Sequence, residues 1–547
     1  MMSRKVVNIF ISIIILTAIL IWGDIVSITI PKVNADDPPP DDAINGIQFI
    51  FGDWNVSDTQ TYTDEIIVLT GNLNISSGGN LTLNNVTLMM NNTNIDAEYN
   101  IEVFRGGTLN ILADSVITDS PYDIDDESSS DYEFMFWVRE GSNFTMKDSE
   151  LYECGYYWYN GGLIIYTDGI ILDNNFISHC YIGISLRLSS HSKITNNHIQ
   201  YSSYAGIHLD GSRNNIIFNN EISNGSTGIV LNLGSSENNV SNNVINKYSF
   251  SGISLSQGSE SNTIFENTIH DGEYGISIGG AWGHDFITIN NNIIYNNSKA
   301  GLFLIDLNIG PGKSSNHEGN ILYNNTCGIY LSGSCKNNFN RTIIHNSDTG
   351  IEISGGRENR LINSSISNSR KYDIYFSTLV SDSGELTLLN TTYHKSKVFF
   401  EGNHSYLTIQ WYLHVYARDL NRTPIPNANV TIRNSKGELV KSGFTDDNGF
   451  LRWTVVTECI QNQTTNLTFN PHNISVIKGD LILYADPEPV INQTMQVNIP
   501  PDILKSEEIE NNFPWIWALL TIVLMFVIIM IIVIYRKRKN IDEDNDS

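Results

Sequence analysis

Gly183-Ile184-Ser185-Leu186 returns along the chain as Gly206-Ile207-His208-Leu209, Gly228-Ile229-Val230-Leu231, Gly252-Ile253-Ser254-Leu255 and Gly275-Ile276-Ser277-Ile278. It continues as Gly301-Leu302-Phe303-Leu304, Gly328-Ile329-Tyr330-Leu331 and Gly350-Ile351-Glu352-Ile353, in steps of 23, 22, 24, 23, 26, 27 and 22 residues. Gly162-Leu163-Ile164-Ile165 opens the series. In each copy two aliphatic side chains lie two residues apart. They share one face of an extended strand, and the residue between them points the other way. Each unit carries two further short apolar bursts, such as Ser192-Lys193-Ile194-Thr195 followed by Asn196-Asn197-His198-Ile199, so three strands per unit are predicted.

A unit of about 23 residues at ~3.3 Å per residue closes one triangular coil. Successive coils then pair in parallel ~4.8 Å apart, with Ile stacked on Ile down the interior. Gly is expected to supply the positive φ of tight corners, and Asn to tolerate the left-handed region while its amides bond up and down a stack. The fold class predicted is all-β, a right-handed parallel β-helix. A leucine-rich repeat has a similar period, but it needs a Leu-x-x-Leu-x-Leu spacing. Here the aliphatics are mostly Ile, and no segment between coils has apolar residues at three- and four-residue spacing. Upstream, Ile66-Ile67-Val68-Leu69, Asn72-Leu73-Asn74-Ile75 and Asn80-Leu81-Thr82-Leu83 read as the first, looser coils. Downstream the series decays through Asp373-Ile374-Tyr375-Phe376. Residues 43–381 therefore predict about 14 coils stacked over ~65 Å.

The repeats from Gly162 to Phe376 resemble those of the parallel β-helix proteins that include the NosD-like periplasmic proteins and the carbohydrate-binding and sugar-hydrolysis domains. The resemblance implies a protein that binds saccharides, cleaves them, or assists assembly of a copper enzyme. Fold alone does not choose among these. Residues 382–500 lose the repeat and show longer alternating strands. There, Arg418-Asp419-Leu420-Asn421-Arg422-Thr423-Pro424-Ile425-Pro426-Asn427-Ala428-Asn429-Val430, with Gly443-Phe444-Thr445-Asp446-Asp447-Asn448-Gly449-Phe450, resembles a carboxypeptidase-regulatory-like, transthyretin-type β-sandwich. Such a module implies a spacer or adhesive unit, and turn chemistry accounts for its residues.

The ends set the compartment. Arg4-Lys5, an apolar run over residues 6–22 and the small residue Ala35 read as a secretory signal over residues 1–35. Residues 515–535 carry no charge, and 21 residues at ~1.5 Å each span a bilayer. Trp515, Trp517 and Tyr535 suit the two interfaces, and Arg536-Lys537-Arg538-Lys539 holds the following side in the cytoplasm. A single-pass, cell-surface glycoprotein of archaeal or other prokaryotic type is expected. Residues 501–514 form its stalk and residues 536–547 a cytoplasmic tail.

The net charge of −27 comes from 32 basic and 59 acidic residues, and the only basic cluster is the stop signal, which argues against a nucleic-acid partner. Five cysteines are too few for a disulfide framework in a chain this long. Cys154 and Cys180 nonetheless fall just past the second burst of neighbouring coils. They are expected one above the other, at a spacing a disulfide accepts.

Outward positions beside the glycine motif bring Arg187, His208 and Asp210 within one coil step of each other, and these form the candidate ligand contact. Polygalacturonase-like Asp-Asp with Gly-His-Gly and epimerase-like Asp-Pro-His-Asp are both missing from the sequence, so no catalytic residue is assigned. The loop at residues 119–133 holds Asp119, Asp123, Asp125, Asp126, Glu127, Asp131 and Glu133, an oxygen-rich set that could take Ca²⁺; a free acidic loop is the commoner case. Tyr152, Tyr156, Tyr157, Trp158 and Tyr159 follow it as possible stacking surfaces for sugars. No Cys-x-x-Cys pair points to copper, and no cofactor is expected. The expected role is a non-enzymatic surface protein whose partner is a saccharide or another cell-surface component. A polysaccharide lyase or hydrolase is the first alternative, and a NosD-like copper-enzyme assembly factor the second.

Overall fold

A computed structural model of the chain describes residues 47–499, apart from 92–98, 120–133, 156–160, 280–285, 307–313, 382, 420 and 486–487. Short strands of three to six residues recur three to a coil, and each pairs in parallel with its counterpart in the next coil. Among the described residues, 14 strands make the first sheet, 15 the second, and a third sheet follows the same stacking. The glycine motif lies in the second sheet. There Ile184, Ile207, Ile229, Ile253, Ile276, Leu302, Ile329 and Ile351 pair in one column, all fully buried. This is the right-handed parallel β-helix expected from the repeat.

Two corner devices differ in chemistry. Buried Asn175, Asn197, Asn220, Asn243, Asn267, Asn292 and Asn320 form a ladder in which each amide donates to the carboxamide oxygen of the next coil at 2.9 to 3.1 Å. Each also donates to a main-chain carbonyl, as Asn220 does to Ile194 O at 2.9 Å, so the buried groups are satisfied. Exposed corner residues such as Asn174, Asn196 and Asn219 take the positive φ.

The motif glycines do something other than expected. None of Gly183, Gly206, Gly228 or Gly252 has positive φ; they are small because the next coil is close. A Cβ on Gly228 would stand 2.4 Å from Ile245 Cγ2 and 2.5 Å from Gly252 O. At these coils the motif glycine allows close stacking, while positive φ falls on corner residues such as Asn196 and Asn219 and on other glycines, among them Gly162, Gly211 and Gly234.

The ladders also run past residue 381. Glu385–Leu389, Val398–Phe400 and the first half of Tyr406–Ala417 add parallel strands to the third, second and third sheets. Glycine is dispensable there because alternation alone suffices for pairing. Tyr406–Ala417 pairs antiparallel with Phe450–Gln461 along nearly its whole length, and its second half leaves the coils to pair in parallel with Met495–Ile499. A four-stranded antiparallel sheet, in the order Leu439–Phe444, Asn429–Arg433, Asn473–Lys478, Leu481–Tyr484, completes this C-terminal part. Its Val430, Ile432, Ile474 and Val476 join the same apolar cluster as the coil interior.

No helix among the described residues is long and apolar enough to cross a membrane. The expected signal at 1–35, stalk at 501–514, span at 515–535 and tail at 536–547 all lie outside the described residues.

Candidate functional site

The outward column of the second sheet can be followed coil by coil. Glu102, Trp137, Ile164, Ser185, His208, Val230, Ser254, Ser277, Phe303, Tyr330, Glu352, Tyr375 and Phe399 pair in that order. Arg187 pairs with Asp210 one step along the strand, and Asp210 with Asn232. The expected trio is thus brought together across two adjacent coils.

His208 faces away from the core yet is only 7% exposed, with the Tyr204 ring edge-on at 5.8 Å. Among the described residues neither of its ring nitrogens has a hydrogen-bond partner, and neither does Oδ1 of Asp210. Burial, reinforced by the Arg187 charge, pushes the imidazole down to about 4, so it is neutral at pH 7. Burial pushes the Asp210 carboxyl up, and Arg187 pulls it partly back. Orphaned buried polar atoms cost free energy unless something meets them, so they mark a place where hydrogen bonds are on offer.

Residues unforeseen in the sequence extend this patch. The Arg139 guanidinium lies 4.6 Å from the Trp137 ring centre and 5.9 Å from that of Tyr166, and it pairs with Glu102 at 2.5 Å. A groove of about 860 Å³ beside it is lined by Arg139, Ser142, Asn143, Tyr166, Asp168 and Leu188. Aligning Phe136-Trp137-Val138 with the Ile-x-Leu part of the motif would have revealed Trp137, but that coil has no motif glycine to fix the alignment.

Toward the other end the column becomes aromatic. Tyr274 and Phe303 lie 4.6 Å apart, Phe303 and Tyr330 are stacked at 5.2 Å, and Tyr372 and Phe399 at 5.2 Å. Glu352 sits between Tyr330 and Tyr375, and burial pushes its carboxyl up. Glu401 accepts from the Thr378 N–H at 2.9 Å and the Tyr375 hydroxyl at 3.0 Å, which hold its carboxyl below the usual range.

Asp119 is buried. The rest of the acidic loop, Asp123 to Glu133, and the aromatic run Tyr156 to Tyr159 lie outside the described residues. Leu151 pairs with Ile177 and Tyr152 with Ser178, which carries Cys154 and Cys180 to equivalent buried positions in adjacent coils.

The architecture defines the class: a solenoid that carries its chemistry on the outer face of a stacked sheet. The chain matches the family described as "Right handed beta helix region" over residues 134–284, and that described as "Periplasmic copper-binding protein (NosD)" over residues 248–415. It is a right-handed parallel β-helix repeat protein, similar over these residues to the NosD-like group.

Solved structures similar to it include the periplasmic alginate epimerase AlgG, at 12% identity and TM-score 0.36 over 61% of this chain and 78% of that one. The catalytic domain of a GH87 alpha-1,3-glucanase in complex with nigerose is 15% identical, with TM-score 0.38 over 63% of each chain. Tailspike protein 3 of bacteriophage CBA120 is 11% identical, with TM-score 0.43 over 66% of this chain and 60% of that one. No curated protein matches the sequence.

Proposed function

We propose that this chain is a membrane-anchored, extracellular saccharide-binding protein whose ligand lies against the patch formed by Trp137, Arg139, Tyr166, Arg187, His208 and Asp210. One observation carries the reading. Orphaned, buried polar atoms on His208 and Asp210 lie with the Tyr204 ring and the Arg187 guanidinium, and Arg139 with the Trp137 and Tyr166 rings occupies the same outer face up to three coils away, together the mix that recognises hydroxyls and the apolar faces of successive sugar rings. Contact, not chemistry, is the role of the trio. His208 is neutral and buried, and no acid and base are paired there by a hydrogen bond. The signal at 1–35 and the uncharged span at 515–535 support export and anchoring. The C-terminal sheets, resembling a transthyretin-type module, serve as a spacer or adhesive unit.

Cleavage of the bound chain is the second reading, favoured by Glu352 and Glu401, whose surroundings push their carboxyls in opposite directions at the aromatic end of the same column. Copper is named for one matched family. Among the described residues no group of three or more His, Cys, Asp or Glu is placed to hold a metal ion, so no part of this reading runs through copper.

The full chain in detergent, assayed on a glycan array and for release of reducing sugar, separates the two readings. Retention of a glycan without new reducing ends is the expected outcome. Reducing ends that vanish in Glu352→Gln would establish cleavage.

A further inference from the structure

Strand Tyr406–Ala417 belongs to two structures at once. Its first half is the last coil strand of the third sheet, with Leu389 opposite Gln410, its second half pairs with Met495–Ile499, and both halves pair antiparallel with Phe450–Gln461. Its buried residues, Leu407, Ile409, Leu413 and Val415, face the core, so Gln410, Tyr412, His414 and Tyr416 continue the outer face of the coils without a break.

On that face the pairing with Phe450–Gln461 slips. Leu413 is opposite Thr454 and Val415 opposite Leu451, so Arg452 and Trp453 together stand against His414 alone. This is a β-bulge, a device that re-aims a side chain. Trp453 takes the left-handed conformation at φ +56°, a place such bulges usually give to glycine. His414 Nδ1 accepts the Trp453 main-chain N–H at 3.1 Å and fixes the bulge.

The bulge lifts the indole into solvent. Trp453 is 66% exposed, held edge-on by Tyr412 at 5.2 Å and by His414 at 4.7 Å. A bulky aromatic in a strained, exposed position makes no sense as core packing. Strain of this kind gathers where a surface does something.

Tyr412 also lines an open groove of about 510 Å³, with Glu318, Asn338, Asn340, Arg360 and Asn363. The groove thus presents carboxamides, which both donate and accept, and Tyr412 links it to the indole that it contacts. Carboxamides match vicinal hydroxyls, and an indole matches the C–H face of a pyranose. The groove's one carboxylate, Glu318, is already paired with Arg341, so the carboxamides supply most of the hydrogen bonds on offer and hydroxyls are their main match.

We propose that Trp453, Tyr412 and the amide-lined groove form a second binding site, for a neutral oligosaccharide, separate from the patch at His208. The proposal rests on the saccharide reading above but not on that patch.

The test uses the full chain in detergent and a panel of soluble neutral polysaccharides, a mannan, a mixed-linkage β-glucan and a dextran, in affinity electrophoresis. Trp453→Gly suits the positive φ and should unfold at the same or a higher temperature than the parent, so lost binding cannot be lost folding. The expected result is that Trp453→Gly and Tyr412→Ala each weaken retardation by one of these polymers roughly tenfold or more, while Leu439→Ala, at an exposed residue outside both sites, leaves it unchanged. Retardation that Trp453→Gly leaves intact, or that only Asp210→Ala removes, overturns the second site and leaves the saccharide reading standing. Retardation by no polymer on this panel, while the glycan array still gives a ligand, overturns the second site alone. Failure on both overturns the second site together with that reading.

Discussion

The coils before Gly162 and those after it build the same solenoid by different means. In the regular part, the motif recurs every 22 to 27 residues and the corner is a ladder of identical asparagines. In the earlier part, Leu73 pairs with Ile101 and Ile101 with Phe136, steps of 28 and 35 residues. The interior there takes aromatics, such as Phe136 against Phe144 at 5.5 Å, and corners are closed by single contacts such as Val86 N–H to Ser115 Oγ at 3.1 Å. Repetition lets each coil satisfy the next, so a regular region has little freedom to vary. Irregular coils can carry unlike residues such as Trp137, Arg139 and Tyr166. The patch with the orphaned polar atoms forms where the two kinds of coil meet, with Arg187, His208 and Asp210 coming from the first regular coils.

The sharpest way to break the comparison is to cut each kind of corner. Asn220→Ala strips the Asn197 main-chain N–H and amide of their buried acceptor and removes two further bonds. A loss of about 4 kcal/mol in denaturant unfolding is expected. Ser115→Ala should cost about 1 kcal/mol by the same measurement, and equal losses would mean that the ladder confers nothing beyond its individual bonds.

The boundary itself is testable through Cys154 and Cys180. Their coil register places the two buried side chains one above the other, and an oxidised bond would close a loop across the junction. Mapping of non-reduced peptides by mass spectrometry should find them linked, and reduction should lower stability by about 3 kcal/mol. Alkylation of both residues in the non-reduced protein would reject the bridge.

A smaller effect is expected with pH. Burial pushes His317, an interior ring in the regular part, down to about 4, as it does His208. The unfolded chain binds these protons near pH 6.5, so the native state loses stability as the pH falls from 6.5 toward 4. His317→Gln should flatten the thermal-unfolding profile across that window, and an unchanged profile would deny the imidazole that role.

Much of this was legible in residue order. Alternation in Gly-Ile-x-Leu foretold the interior column, the spacing of the copies foretold the Arg187–Asp210 register, and abundant Asn foretold a stacked corner. The true use of the motif glycine was hidden, because a close approach between coils and a positive φ ask for the same residue. Trp137 and Arg139 escaped because irregular steps erase the register that would assign them a column. Trp453 escaped for another reason: its exposure follows from a slip between strands about 40 residues apart, which no local pattern encodes. Residue 381 looked like the end of the coils because the motif stops there, although parallel pairing needs only alternation and continues to Gln410.

The central claim is that the junction patch holds a saccharide without altering it. Its most direct test is isothermal titration of the array-identified saccharide into the full chain and into Asp210→Ala, with product analysis of the same mixtures. The account predicts affinity weakened about tenfold in the variant and an intact saccharide in both. Unchanged affinity in Asp210→Ala, or a cleavage product in the parent that disappears in the variant, would contradict it.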